Sequence, residues 1–272
     1  GGTLTIDASR GSIEVRGSGR DSVDVEVLRE VRSTTDKIAR EILDDYIVKF
    51  DQSGDNVKIK AEFKTKKSDR VRNKLRVKFV VTVPNRYNVD LHTSGGSLSV
   101  EDLTGKVLTR TSGGSMKFDG IDGPIDGKTS GGSITIGDTT QSVKVHTSGG
   151  SIKIDRAGGE VDATTSGGSI TVNEVKGKIN ANTSGGSVKA YISKQPESDC
   201  TLKTSGGTVT VYLEEGIGVH VDAHTSGGRI STDFPIKIKG EISRRDLDAD
   251  VNGGGPLLYL RSSGGSIHIK KK

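Results

Sequence analysis

Cysteine is almost missing from this chain of 272 residues; the single Cys200 excludes a disulfide within one chain and leaves the redox compartment open. Long apolar runs are missing as well. No stretch approaches the roughly 18 consecutive apolar residues that a bilayer-spanning helix needs, and no charged-then-apolar leader opens the sequence at Gly1, so it reads as a mature or trimmed soluble part. Charge of one sign is also scarce: the formal net charge is +5, too mild for this length to demand a nucleic-acid partner. Hydrophobic residues make up 31%, a thin supply until the 38 glycines are counted with them. Those that are present follow a strict pattern, which excludes a disordered chain.

What is abundant is one phrase. "TSGG" or a close variant opens at Thr93, Thr111, Thr129, Thr147, Thr165 and Thr183, a spacing of 18 each time. It returns at Thr204 and Thr225 with a spacing of 21, and as "SSGG" from Ser262 after a gap of 37. A fixed period of this kind specifies a stacked architecture. Within each unit apolar residues alternate with polar ones, as in Ile152, Ile154, Ala157, Val161 and Ala163, and one period later Ile170, Val172, Val175, Ile179 and Ala181. Period 2 makes each half a short strand with one buried face, so two or three strands form one coil of a solenoid. Each coil buries about five small or branched side chains, enough for stability only when coils stack. The expected fold is all-β: a right-handed parallel β-helix with 18-residue coils.

The Gly-Gly pair marks a corner where positive φ is expected. A second corner falls at Gly105, Gly123, Gly159 and Gly177, and the threonine that opens each phrase points inward, its hydroxyl available to corner backbone. Residues 1–88 lack the period. They alternate as strands and contain one amphipathic segment, "STTDKIAREILDDY", expected as a helix near residues 35–45 with Ser33 or Thr34 as its cap. This β-rich N-terminal region is expected to cover an open end or side of a solenoid running over residues 89–272, the two forming one continuous domain.

Val81–Pro84, the "TSGGSI" coils with "GKV" or "GKI" between them, and the closing "GGGPLLYLRSSGGSIHI" resemble the bacterial putative-adhesin domain family, also called toastrack. The resemblance covers most of the chain. It implies a right-handed β-helix exposed outside the cytoplasm or associated with the cell envelope, and it supplies no catalytic residues.

Catalytic motifs are sparse. Gly127-Lys128-Thr129 echoes the end of a phosphate-binding loop, but Asp122 stands where that loop needs glycine, so a repeat corner explains it better. His220, Asp222 and His224 alternate on one strand and could ligate zinc, although no fourth ligand is evident. Glu101, Asp119 and Asp155 share a slot that suggests a calcium ladder, interrupted by Gly137 and Asn173. The remaining histidines, His92, His146 and His268, show no paired carboxylate or serine at a catalytic spacing, and no cleft of acids and bases suits a pectin-lyase type of enzyme. The expectation is no metal, no cofactor and no enzymatic activity.

One outward slot, just before each threonine, recurs as His92, Arg110, Lys128, His146, Thr164, Asn182, Lys203 and His224, with Arg261 before Ser262. Stacking turns the slot into a row, and His92, Arg110, Lys128, His146, Lys203 and His224 become a candidate stripe for a polyanion. A second basic run, from Lys64 to Lys78, is expected as an exposed hairpin tip; it lacks the interleaved aromatics that stack bases. The reading is a non-enzymatic envelope or extracellular scaffold, adhesin-like, binding an anionic glycan, a lipid surface or an envelope protein and no specific nucleic acid. The alternative is a structural protein whose solenoids stack into filaments or homo-oligomers.

Overall fold

The structure is a computed structural model that describes residues 1–32, 35–66 and 68–272. It divides into two compact units, Gly1–Gly132 and Ser133–Lys272. Both are parallel β-solenoids with two strands per coil, one in each of two sheets, so the expected solenoid is present.

In the first unit one sheet runs in the order Tyr46–Ser53, Asn56–Phe63, Thr3–Ala8, Asn88–Thr93, Val107–Thr111, Ile125–Lys128. The other runs Asp24–Val31, Leu75–Pro84, Ser12–Ser18, Leu98–Thr104, Met116–Asp122. All neighbours are parallel except the outermost strand of each sheet, which is antiparallel to the next. Residues before Val89 therefore supply coils of their own. Ala8 pairs with Thr93 and Ile13 with Leu98, which sets "ASRGSI" in the corner slot of "TSGGSL". This is a degenerate copy of the phrase, with Arg10 in place of its first glycine.

The helix Asp36–Asp45 joins the two outermost strands and packs on both, burying Ile42. It covers an end, as the amphipathic pattern implies. Thr35 holds its N-cap position with extended φ −137° and ψ 141°, whereas Ser33 and Thr34 lie outside the described residues. The Lys64–Lys78 run is not a hairpin tip. It carries the chain from one sheet to the other through a single helical turn, Asp69–Arg72, because its flanking strands belong to the same coil. Lys67 in this run lies outside the described residues.

In the second unit one sheet runs Val143–Thr147, Val161–Thr165, Ile179–Thr183, Cys200–Thr204, Leu257–Ser262, Val219–Thr225, Asp246–Val251, Ile236–Ile242. The other runs Ile134–Thr139, Ile152–Ala157, Ile170–Val175, Val188–Ile192, Val209–Leu213, Ile267–Lys271, Ile230–Thr232. Ile134, Ile152 and Ile170 form one inward column, each at most 1% exposed. The last coil in sequence is not the last in space. Leu257–Ser262 and Ile267–Lys271 insert between the coil at Cys200–Leu213 and the strands Val219–Thr225 and Ile230–Thr232. The charged C-terminus thus does not protect an end. That place is taken by the antiparallel hairpin of Ile236–Ile242 and Asp246–Val251, which occupies the stretch where the period loosens.

The corner differs from expectation in its physics. The phrase glycines from Gly95 onward do not have positive φ; Gly11, in the degenerate copy, does, at 120°. Glycine is required because the coils touch there. A Cβ on Gly168 would lie 2.1 Å from the carbonyl oxygen of Gly150, and one on Gly186 2.3 Å from that of Gly168. The inward threonines close the same corner. Thr165 Oγ1 donates to Gly150 O at 2.8 Å and Thr183 Oγ1 to Gly168 O at 2.7 Å, while each accepts from a glycine N–H of its own corner at 3.4 Å. Backbone groups buried by stacking are in this way satisfied by the residue that opens each phrase.

Candidate functional site: the outward cationic row

The corner fixes the neighbouring slot. Since each threonine points inward, the residue before it points outward, and the parallel register stacks these residues one per coil, about 4.8 Å apart.

In the first unit the row reads Lys60, Asp7, His92, Arg110, Lys128, each paired in register with the next. It borders a groove of about 490 Å³ that the corner serines Ser94, Ser112 and Ser130 and the carboxylate residues Asp7 and Glu62 also line. Lys128 and His92 are exposed. Arg110 is half-buried and its guanidinium donates to Asp126 Oδ1 at 2.8 Å, so much of its charge is already compensated. Lys60 pairs with Glu62 at 3.0 Å.

In the second unit the row reads His146, Thr164, Asn182, Lys203, Arg261, His224, Asp246. The inserted coil places Arg261 between Lys203 and His224, an order that the sequence does not show. Arg261 donates to both Asp222 oxygens at 2.9 Å, and its guanidinium lies 3.7 Å from the Tyr259 ring centre, with Lys203 Nζ 4.7 Å from the same ring. Arg261 is therefore neutralised by a carboxylate, and Lys203 is exposed beside an aromatic face.

Val219, Val221 and Ala223 are buried, so His220, Asp222 and His224 do face outward together. The partners of the two histidines are the hairpin aspartates, whereas Asp222 is held by Arg261. His224 Nδ1 lies 2.5 Å from Asp246 Oδ1; His220 Nδ1 lies 3.0 Å from Asp250 Oδ1, and its Nε2 lies 3.4 Å from Asp248 Oδ1. The hydrogen bond from His224, then that from Ser243, holds the Asp246 carboxyl below the usual carboxylate range, and the bond from His220 does the same for Asp250. Among the described residues no three of these groups are placed to hold a metal ion. The alternation "DLDAD" at Asp246–Asp250, which mirrors "HVDAH", is the sequence signal for this cluster.

The acidic slot on the other sheet is likewise occupied by protein partners. Glu101 accepts from Lys117 at 2.9 Å and Arg16 at 2.6 Å, which lowers its pKa, and Asp155 accepts from Lys153 and from Asn173 at 2.8 Å. Thr129 of the Gly127-Lys128-Thr129 stretch donates to Gly114 O at 2.8 Å, as its counterparts in other coils do. Tyr191 and Tyr212 stack at 4.3 Å with an interplanar angle of 9°, so each covers a face of the other and the pair is a coil-to-coil contact. No helix among the described residues is long and apolar enough to cross a membrane, which says nothing of a β-barrel.

Two sheets of stacked, mostly parallel strands closed by threonine-glycine corners define the class: a β-solenoid. Within that class the chain belongs to the Toastrack DUF4097 family, whose model matches residues 2–270. Among solved structures it is similar to a putative cell adhesion protein from Clostridium sporogenes, with 15% identity, 100% of this chain and 92% of that chain covered, and a TM-score of 0.24. It is also similar to a putative adhesin from Bacteroides fragilis, with 12% identity, 99% and 91% covered, and a TM-score of 0.39. No curated protein matches.

Proposed function

We propose that this chain is a non-enzymatic, extracytoplasmic, adhesin-like scaffold that binds an anionic surface or polymer along its outward cationic row. The observation that supports this reading most is the register that stacks His92, Arg110 and Lys128 along one groove. Cations that recur along a row of stacked coils suit a ligand with repeated negative charge. The names of the two similar structures agree with a surface role and add no residue-level support.

The ion pairs decide which substitutions are informative. Reversing Arg110 would also leave Asp126 unpaired, so a loss of binding there would have two causes. Lys128 and Lys203 are exposed and pair with no carboxylate among the described residues. The double variant Lys128→Glu, Lys203→Glu should weaken binding to vesicles of anionic lipid or to an acidic polysaccharide several-fold. Thermal stability should change little, since exposed charges contribute little to folding. Binding should also fall steeply with salt, because the screening length is about 8 Å at physiological ionic strength. Binding that is absent, or equally strong in the variant and in high salt, sinks the reading.

A further inference from the structure

Of the five tyrosines, three have no tyrosine beside them. Tyr46 and Tyr87 are buried, and their hydroxyls donate to the backbone carbonyls of Arg10 and Asp55. Tyr259 lies against the Arg261 guanidinium, and its neighbours in register are Thr201 and Asp222. Tyr191 and Tyr212 are placed differently.

These two belong to Val188–Ile192 and Val209–Leu213, parallel neighbours in which they pair with each other in register. Ala190, Ile192, Val211 and Leu213 are fully buried, so alternation sends both rings to the outer face of the sheet, where each is half-buried. The ring centres lie 4.3 Å apart with planes 9° from parallel. That is nearer than the roughly 4.5–7 Å at which aromatic pairs usually pack, and nearer than the strands themselves, about 4.8 Å apart. Lys189 Nζ lies 5.0 Å from one centre and 5.2 Å from the other, so it flanks the pair without entering it. Among the described residues no other two tyrosine rings are in contact.

Two phenols held face to face at a surface are the reactants of an oxidative coupling, already brought together. We infer that Tyr191 and Tyr212 are a site of dityrosine formation, which joins two successive coils covalently when the protein meets a peroxidase-type one-electron oxidant and hydrogen peroxide. Each phenol gives up one electron and its hydroxyl proton and becomes a phenoxyl radical. The two radicals pair their electrons in a new bond between one Cε of each ring, the carbons ortho to the hydroxyls. Each ring then regains its aromaticity as the hydrogen on that carbon moves to the oxygen. The chain loses two electrons and two protons in all, which convert one hydrogen peroxide to two waters.

The stack supplies proximity, which turns an encounter between two radicals into a step within one chain. Half-exposure gives the oxidant access and leaves the rings room to turn out of the stack as the bond forms. With one cysteine the chain has no internal disulfide, and this link ties Tyr191 to Tyr212 in the way that a disulfide constrains an unfolded chain. It also fastens the periodic coils to Val209–Leu213, the strand against which the final strand Ile267–Lys271 inserts.

The test exposes the dilute, folded whole chain to a peroxidase and hydrogen peroxide, and reads dityrosine fluorescence, intact mass and the cross-linked peptide after proteolysis. The monomer should lose the mass of two hydrogens, and one peptide pair joined through Tyr191 and Tyr212 should carry the fluorescence. Tyr212→Phe, which keeps the ring and so the packing, should lower the intrachain product at least tenfold, whereas Tyr259→Phe should leave it unchanged. The chain unfolded in urea should form the Tyr191–Tyr212 link several-fold more slowly, because the register that stacks the rings is then gone. The inference fails if the monomer acquires no link, if dityrosine forms only between chains, or if the link joins other tyrosines. It fails equally if Tyr212→Phe yields as much intrachain product as the parent, or if the unfolded chain forms the link as fast as the folded one.

Discussion

Gly168 shows at the scale of one residue what the corner demands. Its backbone would accept any side chain as far as φ is concerned, yet a Cβ would stand 2.1 Å from Gly150 O. Gly168→Ala should therefore cost about 1–3 kcal/mol, the range for forcing an extra carbon into a packed site, read as a lower urea midpoint. Gly216 is the converse case, with φ of 90° and nothing within 4 Å of where a Cβ would stand, so alanine there is opposed by backbone strain alone. An unchanged midpoint for Gly168→Ala would mean that the coils can separate at the corner more cheaply than the stacked contacts imply.

At the scale of the element, the inserted final coil is the feature on which the second unit depends. Leu258, Leu260, Ile267 and Ile269 are fully buried, each worth on the order of 1.5–3 kcal/mol against exposure. The coil separates Cys200–Thr204 from Val219–Thr225; its start is pinned by Leu257 N–H donating to Asp199 Oδ1 at 2.9 Å, while Gln195, bonded to both N–H and C=O of Gly218, holds the approach to Val219–Thr225. A chain ending at Gly255 should lose more than its own last strands: the Val219–Thr225 strand and its hairpin should lose protection as well. Hydrogen exchange measures this directly. Full protection of Val219–Thr225 in the truncated chain would show that this strand docks without the insert.

At the scale of the whole molecule, the filament alternative turns on the outermost strands. Asp24–Val31 carries Asp24, Glu26 and Glu30, and Ile236–Ile242 carries Lys237 and Lys239 with a register irregularity between Ile238 and Ile242. These antiparallel strands, with charges and a bulge, are poor templates for another solenoid, and Ile230–Thr232, the outermost strand of the second unit's other sheet, is parallel to its neighbour but only three residues long. Exposed Phe50, Ile238 and Ile242, at 58%, 52% and 52%, act in the other direction. The charges and strand direction should prevail, so light scattering should give a mass that does not grow with concentration. Ordered fibres under the microscope would reverse that conclusion.

The repeat by itself determined the coil, the inward threonines, the Ile134–Ile152–Ile170 column and the outward slot, because a two-residue alternation repeated every 18 residues allows one way to bury its apolar face. Helix existence near residues 35–45 was legible from its 3.6-residue periodicity. Only the tertiary structure decided why the corners need glycine, since contact between coils leaves no mark distinct from a demand for positive φ. It alone decided that "ASRGSI" is a corner, that the last coil inserts before the preceding strand, that Asp126 and Asp222 compensate the arginines of the row, and that Asp246 partners His224. Those outcomes depend on which coil meets which, and pairings between residues far apart in sequence follow from packing that no local pattern encodes.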